Sequence, residues 1–462
     1  MSRYPKSPLF VIPARGGSKG IPRKNLAKVG GISLVGRAVR TALDAAISLG
    51  GGRVVVDSDS EEILEEGRRW GAETPFVRPA ELAGDSASTM SVLQHLLLRL
   101  GDEGTRRALV LLQATSPFTT AVHVVDAVRR HDETGAPVVS LHQGRHPLEW
   151  SMRVVEGKLE PALPGHEAER RQDLVFYYEV SGAAYVMAAS DVRDGKPFIQ
   201  PGVTEPVFAT DHPVLDIDTP EDMAVAQALG RGFPVLPIAI GSQNVGNGTG
   251  CFILARVEGP LASLRLALHS VERAASLGAD GLRFALGDAA ATWAHELKRS
   301  AETLGLTLVL DVCPSSTARL VDALRPDAIA LDLKRAPIEC LADVLRGHRL
   351  PALLASEDLD LPTLDHACRR LRSLGYDRVV PVLNLAPDDH PHKTLSLGDL
   401  REISDALRMP IGVSDQSPSP AAALASVGCG VALWEGRLDE GGDAFIARVA
   451  LVREAARRLA RT

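Results

Sequence analysis

Residues 10–26 read FVIPARGGSKGIPRKNL. The run opens apolar and β-branched, as a buried strand does, and then breaks into glycines and cations. Gly16 and Gly17, followed by Ser18, Lys19 and Gly20, let the backbone approach an anion and turn its N–H groups toward it. Arg15, Lys19, Arg23 and Lys24 supply the charge a triphosphate needs, Arg as a fork and Lys as a point charge. The spacing is not GxxxxGK[ST], so the ordinary ATPase loop is excluded. Taken alone, the loop also reads as a solvated turn.

Working outward, LFVIPA, RVVVDSD, ALVLLQA and APVVSLH read as buried strands, and SLVGRAVRTALDAAISL and AVHVVDAVRRH as helices between them. That alternation predicts a doubly wound, mostly parallel, Rossmann-like α/β sheet with ligands at the carboxyl ends of its strands. A Gly/Asn/Ser-rich stretch, GSQNVGNGTG (241–250), interrupts the rhythm and reads as a linker. The expected organisation is a first domain over 1–238, a linker over 239–249 and a second domain over 250–462. In the second, CFILARV, GLRFA, LTLVLDV, AIALDL, ALLAS, VVPVLN, PIGVSD and VALWE are strand candidates, each followed by a helical stretch. Eight such units predict a (β/α)8 TIM-type barrel.

Composition narrows the function classes. The 462 residues are 45% hydrophobic and 24% charged, with a net charge of −7. That balance argues against a nucleic-acid partner. No apolar run approaches the roughly 20 residues that span a bilayer, and MSRYPKSPLF lacks the apolar core of a secretory signal. The five cysteines, at 251, 313, 340, 368 and 429, match neither a metal motif nor a disulfide framework. The expectation is a cytoplasmic protein with buried thiols.

Two further stretches bear on the opening loop. In LDIDTPEDM, Asp216 and Asp218 stand two apart at an expected strand end, a spacing that points both to one face. Such a pair calls for a cation between them, and Mg²⁺ takes one or two carboxylates plus water and phosphate oxygens. Capping of the helix that begins at Thr219-Pro220 accounts for one Asp, not for both. The stretch VRPAELAGDSAST (77–89) is a polar loop that reads either as a contact for a base and ribose or as a helix N-cap region.

These motifs, in this order, resemble the cytidylyltransferases that activate nonulosonic acids, above all N-acylneuraminate cytidylyltransferase. The family pattern A-R-x-x-S-K-G-x-P-x-K-N appears as ARGGSKGIPRKN, and R-P-x-x-L-A, L-L-Q-x-T-S-P and D-I-D-T as RPAELAGDSAS, LLQATSP and DIDTPED. The resemblance covers residues 8–230. It implies transfer of CMP from CTP to the anomeric hydroxyl of a 2-keto sugar acid, with release of pyrophosphate and with Mg²⁺ (or Mn²⁺) as cofactor. It carries Arg15, Ser18, Lys19 and Lys24 over as triphosphate contacts and Asn25, Arg78 and Ser88 as nucleotide contacts. Asp216 and Asp218 become the metal ligands, and Gln113, Arg171 and Tyr185 the sugar-acid contacts. Arg15, Lys19, Asp216 and Asp218 are thereby the expected catalytic set, in a homo-oligomer expected to be a dimer. No His or Glu stands out as a general base. The nearest alternative in the same class is a 3-deoxy-octulosonate cytidylyltransferase.

The chain departs from the pattern at the sugar. Where relatives read R-P-N-G, this chain reads EVSG, with Glu179 in place of a sugar-binding Arg and Ser181 in place of Asn. Thr119 replaces an Arg common after T-S-P. An Arg-to-Glu change reverses the local charge, which points to a modified nonulosonic acid bearing a free amine or a less polar substituent. A solvated Glu179 that touches nothing is the competing reading.

Residues 250–436 resemble, more distantly, the barrel of sialic acid synthases, through GADGLRFA and MPIGVSDQSPSPAAALASVGCGVALWE. The catalytic positions differ: RVEG leaves Val257 and SDQ leaves Gln416 where the family has metal-binding His, and Arg283 replaces a Lys. Neither Val nor a neutral amide replaces imidazole at a transition metal. The barrel is therefore expected to have lost synthase activity; a bifunctional enzyme with an active barrel is the alternative. His390 and His392, in DDHPHKT, read as a polar loop at the barrel mouth rather than a new metal pair.

Overall fold

The computed structural model describes residues 7–18, 20–84, 86–101, 108–144, 148–162, 177–209, 213–231, 235–246, 250–312, 317–333, 338, 348–356, 360–385, 397–415, 420–438 and 442–459. The chain divides into two units, Met1–Gly230 and Arg231–Thr462. None of the described helices is long and apolar enough to cross a membrane.

The first unit is built on strands β1 (Leu9–Pro13), β2 (Arg53–Asp57), β3 (Ala108–Leu111), β4 (Val138–Gln143), β5 (Tyr178–Ala188) and β6 (Glu205–Phe208), in the order β6-β4-β5-β3-β1-β2. β1 pairs in parallel with both β2 and β3, and β4 with β6. β5 alone runs antiparallel, between β3 and β4. The sheet is thus mostly parallel, as the apolar runs predict.

β1, β2 and β3 are buried on both faces, which is why they read as continuous apolar runs. Against one face, Leu93, Leu96 and Leu97 of one helix (Thr89–Leu100) pack on Leu9, Val11 and Leu109. On the other, Phe10 meets Ala46 of the helix Leu34–Ser48 around Gly52. EVSG lies inside the 11-residue β5. One local reading changes. Residues 213–218, expected to end a strand, belong to no strand ladder; Ile217 N donates instead to Thr115 O at 2.9 Å.

The second unit is a closed barrel of eight parallel strands: β7 (Phe252–Leu261), β8 (Gly281–Leu286), β9 (Thr307–Asp311), β10 (Ala328–Asp332), β11 (Ala352–Ser356), β12 (Val379–Leu385), β13 (Gly412–Asp415) and β14 (Leu433–Arg437). All eight coincide with the runs picked out in the sequence.

The expected linker is a correction. Ile238–Ile240 and Gln243–Val245 form an antiparallel hairpin. Its Ile238, Ile240 and Val245 are buried with Phe252, Leu254, Val309 and Leu433 at the barrel's strand starts. Alternating apolar residues on so short a hairpin need a partner surface, and the amino-terminal end of the barrel supplies one.

Candidate active site

The first strand's outlet decides the site. Leaving β1, the chain meets a cleft of about 430 Å³ lined by Pro13, Arg15, Ser18, Gly20, Lys24, Asn25, Arg78, Gln113, Thr115 and Asp218, among others. Most of these residues lie at or beyond the ends of β1, β2 and β3, so the cleft opens at the carboxyl ends of neighbouring parallel strands, where the order turns from β2 on one side of β1 to β3 on the other; Asp218 comes from the loop after β6. The glycine-rich loop and the acidic loop meet across it. Lys24 Nζ donates to Ile217 O at 2.7 Å and lies 3.2 Å from Asp218 Oδ1. A Cβ added at Gly20 would sit 2.8 Å from Asp218 O.

The rest of the loop is braced from below. Asn25 is buried and donates through Nδ2 to Arg15 O at 2.9 Å, and Gly16 N donates to Asp59 Oδ1 at 2.9 Å. One expected cation turns away. Arg23 pairs with Glu62 at 2.7 Å on the surface, because its left-handed backbone (φ 53°) aims it at the helix Glu61–Arg69.

The acidic pair owes its freedom to a neighbour. Ile217 is buried, so Asp216 and Asp218 on either side of it are exposed. Helix capping, the competing use for Asp218, falls to Thr219 and Asp222. Asp222 N donates to Thr219 Oγ1 at 3.1 Å, and Thr219 N donates to Asp222 Oδ2 at 2.9 Å. This reciprocal arrangement is a capping box, with Asp in place of the usual Glu. These bonds hold the Asp222 carboxyl below its ordinary range, the Thr219 backbone first.

Asp218 is left for Lys24 and the cleft, while Asp216 lies close enough to Tyr185 to add to the upward push that burial gives that phenol. Only Asp218 of the two lines the cleft itself. Among the described residues no cluster of three or more His, Cys, Asp or Glu could hold a metal. A hard-oxygen pair without a third protein ligand fits an ion that completes its shell with water and phosphate.

The remaining expected contacts divide. Gln113 lines the cleft, and Gly182 (φ +71°) lies so close that a Cβ there would come within 2.7 Å of Gln113 Oε1. Arg78 lines the cleft as well, but its guanidinium is tied to Asp57.

Ser88 takes the helix-cap reading of its stretch. Its Oγ accepts from Ser91 N at 3.0 Å as the cap of the helix Thr89–Leu100, and its neighbours Ala87 and Thr89 line the cleft. Ser181 is engaged inside the sheet. It is buried in β5, and its hydroxyl bonds Ser140 Oγ at 2.7 Å across a register shift in the β4–β5 ladder.

Glu179 is not idle, because its carboxylate meets His142 Nε2 at 3.3 Å from the paired strand. A second hollow, of about 680 Å³, includes His142, Tyr178, Phe208 and Leu215 in its lining. Lys19, Arg171, His390, His392 and Gln416 lie outside the described residues.

Sequence reasoning missed Asp57, Asp59, Asp222 and His142. A carboxylate at the end of a parallel strand, as in RVVVD, was the available signal for Asp57.

In the barrel, Arg283 is buried between two acids, with Nε donating to Asp311 Oδ1 at 2.7 Å and Nη1 to Glu435 Oε2 at 2.9 Å. Ser414 Oγ donates to Glu435 Oε1 at 2.8 Å. Val257 packs against the apolar layer outside the strands.

Residues 9–178 match the family model described as Cytidylyltransferase. The CMP-N,N'-diacetyllegionaminic acid synthase of Legionella pneumophila is 29% identical over 228 residues, 48% of this chain and 95% of that protein. The pseudaminic acid cytidylyltransferase of Campylobacter jejuni is 30% identical over 224 residues, again 48% of this chain and 95% of that protein. The solved spore coat polysaccharide biosynthesis protein of Bacillus subtilis resembles 49% of this chain and 73% of its own at 20% identity and a TM-score of 0.44, a likeness too slight to carry an argument.

Proposed function

Since the chain belongs to the cytidylyltransferase family, we propose that its first unit transfers CMP from CTP to the anomeric hydroxyl of a nonulosonic acid and releases pyrophosphate. One observation carries the reading: the cationic, glycine-rich loop faces the Asp218 loop across one cleft, with Lys24 and Asp218 3.2 Å apart. A triphosphate laid between them would meet Arg15 and Lys24 on the loop side. The bond formed joins the anomeric oxygen to the α-phosphorus, and the bond broken frees pyrophosphate. Arg15 and Lys24 stabilise the charge that grows on that leaving group. Asn25 holds the Arg15 backbone in place, so the loop is ordered before the nucleotide arrives.

Asp216 and Asp218 would hold Mg²⁺ or Mn²⁺. When bound, that ion neutralises phosphate charge. Lys24, already beside Asp218, then has a phosphate oxygen as its alternative partner.

For the acceptor, Glu179 with its His142 partner favours a nonulosonic acid carrying an amine or a less polar substituent over N-acetylneuraminate. The hairpin Met152–Val155/Lys158–Pro161 exposes Met152, Val154 and Leu159, a surface that a second copy of the chain would cover in a dimer. The use of CTP, and the absence of a disulfide at Cys251, Cys368 and Cys429, accord with a cytoplasmic setting. The barrel, in this reading, has no synthase activity. Arg283 is committed to Asp311 and Glu435, and Val257 offers no metal ligand.

The test is pyrophosphate release from CTP across a panel of nine- and eight-carbon 2-keto acids, with Asp216→Asn and Asp218→Asn as controls expected to lose turnover. No release with any acceptor refutes the reading. N-acetylneuraminate turned over as well as any diamino or deoxy relative refutes the role given to Glu179. Phosphoenolpyruvate consumption by the full chain with Mn²⁺ would refute the loss of synthase activity.

A further inference from the structure

Arg78 is an unusual member of the cleft wall. It reaches the cleft but is itself buried, and so is the carboxylate that holds it: the side chains are 4% and 0% exposed. Arg78 Nε donates to Asp57 Oδ2 at 3.0 Å, and Nη2 donates to the backbone carbonyl of the same residue. Arg78 N is bonded to the next carbonyl, Ser58 O, at 2.8 Å. Asp57 therefore grips the guanidinium twice, by side chain and by backbone, while Ser58 holds the Arg78 backbone. A guanidinium has five N–H donors, and this grip uses two. The rest are presented in one fixed plane. Asp57 closes β2, so the strand itself sets the position of that plane. Burying an ion pair is a poor route to stability, since removing two charges from water costs about what their attraction returns. A pair kept at a cleft wall has its effect there instead.

We propose that Asp57 is a positioning residue that holds the Arg78 guanidinium in the orientation in which it meets the nucleotide, and so sets the hold on CTP. This rests on the cytidylyltransferase reading. Asp57 does not touch the substrate. It acts through Arg78, and its effect is confined to the nucleotide half of the reaction. The acceptor half, at Gln113, is fixed by other strands.

Steady-state kinetics on the full chain test this, with CTP and the acceptor varied in turn. Asp57→Ser removes the side-chain grip. The KM for CTP should rise about tenfold or more, with the acceptor KM within about twofold of the parent. Asp57→Asn keeps an acceptor for Nε without its charge, and a neutral acceptor bonds about half as strongly, so a smaller rise of about threefold to fivefold in the CTP KM is expected.

In an Arg78→Met background the same substitutions should add nothing further, because the residue they act through is gone. A folded Asp57→Ser protein with unchanged CTP KM overturns the proposal. So does a rise shared equally by CTP and acceptor, or an Asp57 effect that persists without Arg78. If Asp57→Ser does not fold, Asp57→Asn decides alone: a CTP KM equal to the parent's overturns it. Failure of the parent protein to use CTP at all would refute the cytidylyltransferase reading, and is seen before any variant is made.

Discussion

Replacing Gly20 with alanine tests the facing loops with the smallest possible change. The added Cβ would lie 2.8 Å from Asp218 O, a backbone atom that cannot rotate away. Ordinary van der Waals contact begins at 3.4 Å, so the two loops must part by 0.6 Å. Gly20 has no left-handed backbone to lose, so close approach is the whole effect. A misplacement of about 1 Å costs on the order of 100-fold in rate, so 0.6 Å should cost roughly tenfold in kcat/KM. The same displacement lengthens the Lys24–Asp218 contact. That pair is worth about 1 kcal/mol at most, since Asp218 is 75% exposed, so stability should hardly move.

The assay is pyrophosphate release at several Mg²⁺ concentrations, with Tm measured alongside. The expected result is a tenfold loss that extra Mg²⁺ partly restores, at a Tm within about 3 °C of the parent. A Gly20→Ala protein with parental kcat/KM would refute the claim that these loops work as two sides of one site.

Gly182→Ala should act at the acceptor instead: its Cβ would come within 2.7 Å of Gln113 Oε1, and the φ of +71° adds about 1–2 kcal/mol of strain. Acceptor KM should rise and Tm fall, with the CTP KM unchanged, as steady-state kinetics and calorimetry will report. Asp222→Ala removes half of the capping box and should lower stability by about 1 kcal/mol at pH 7. The Thr219 hydrogen bonds hold the Asp222 carboxyl below the ordinary Asp range, so its contribution is present above that range and lost as pH falls through the lower folded value. The difference in Tm between the two proteins should therefore close in strong acid. Cys251, whose thiol burial pushes up to about 12, should resist alkylation at pH 8 until the protein is denatured, as mass spectrometry of labelled peptides will show.

What local pattern controls was legible in the chain. The apolar run into Gly16-Gly17, the eight barrel strands and the Asp216/Asp218 spacing each follow from residues within a few positions of one another. Periodicity and glycine chemistry act at that range. Contacts across the fold were not legible. Lys24 and Ile217 stand 193 residues apart, and only the sheet order brings them to one cleft. Likewise, Arg23 and Lys24 are adjacent cations in sequence, yet one pairs at the surface and the other crosses the site. Ser88 and Ser181 carry the hydroxyls a substrate contact needs, but a helix end and a strand shift claimed them first. Asp57 looked like the last residue of a strand until the fold set Arg78 against it. Sequence determined the central strands of the sheet and barrel and which loop can hold an anion, because those depend on neighbours along the chain. Tertiary structure decided which polar atoms remain available to a ligand, because a hydrogen bond made within the protein removes that atom from the site.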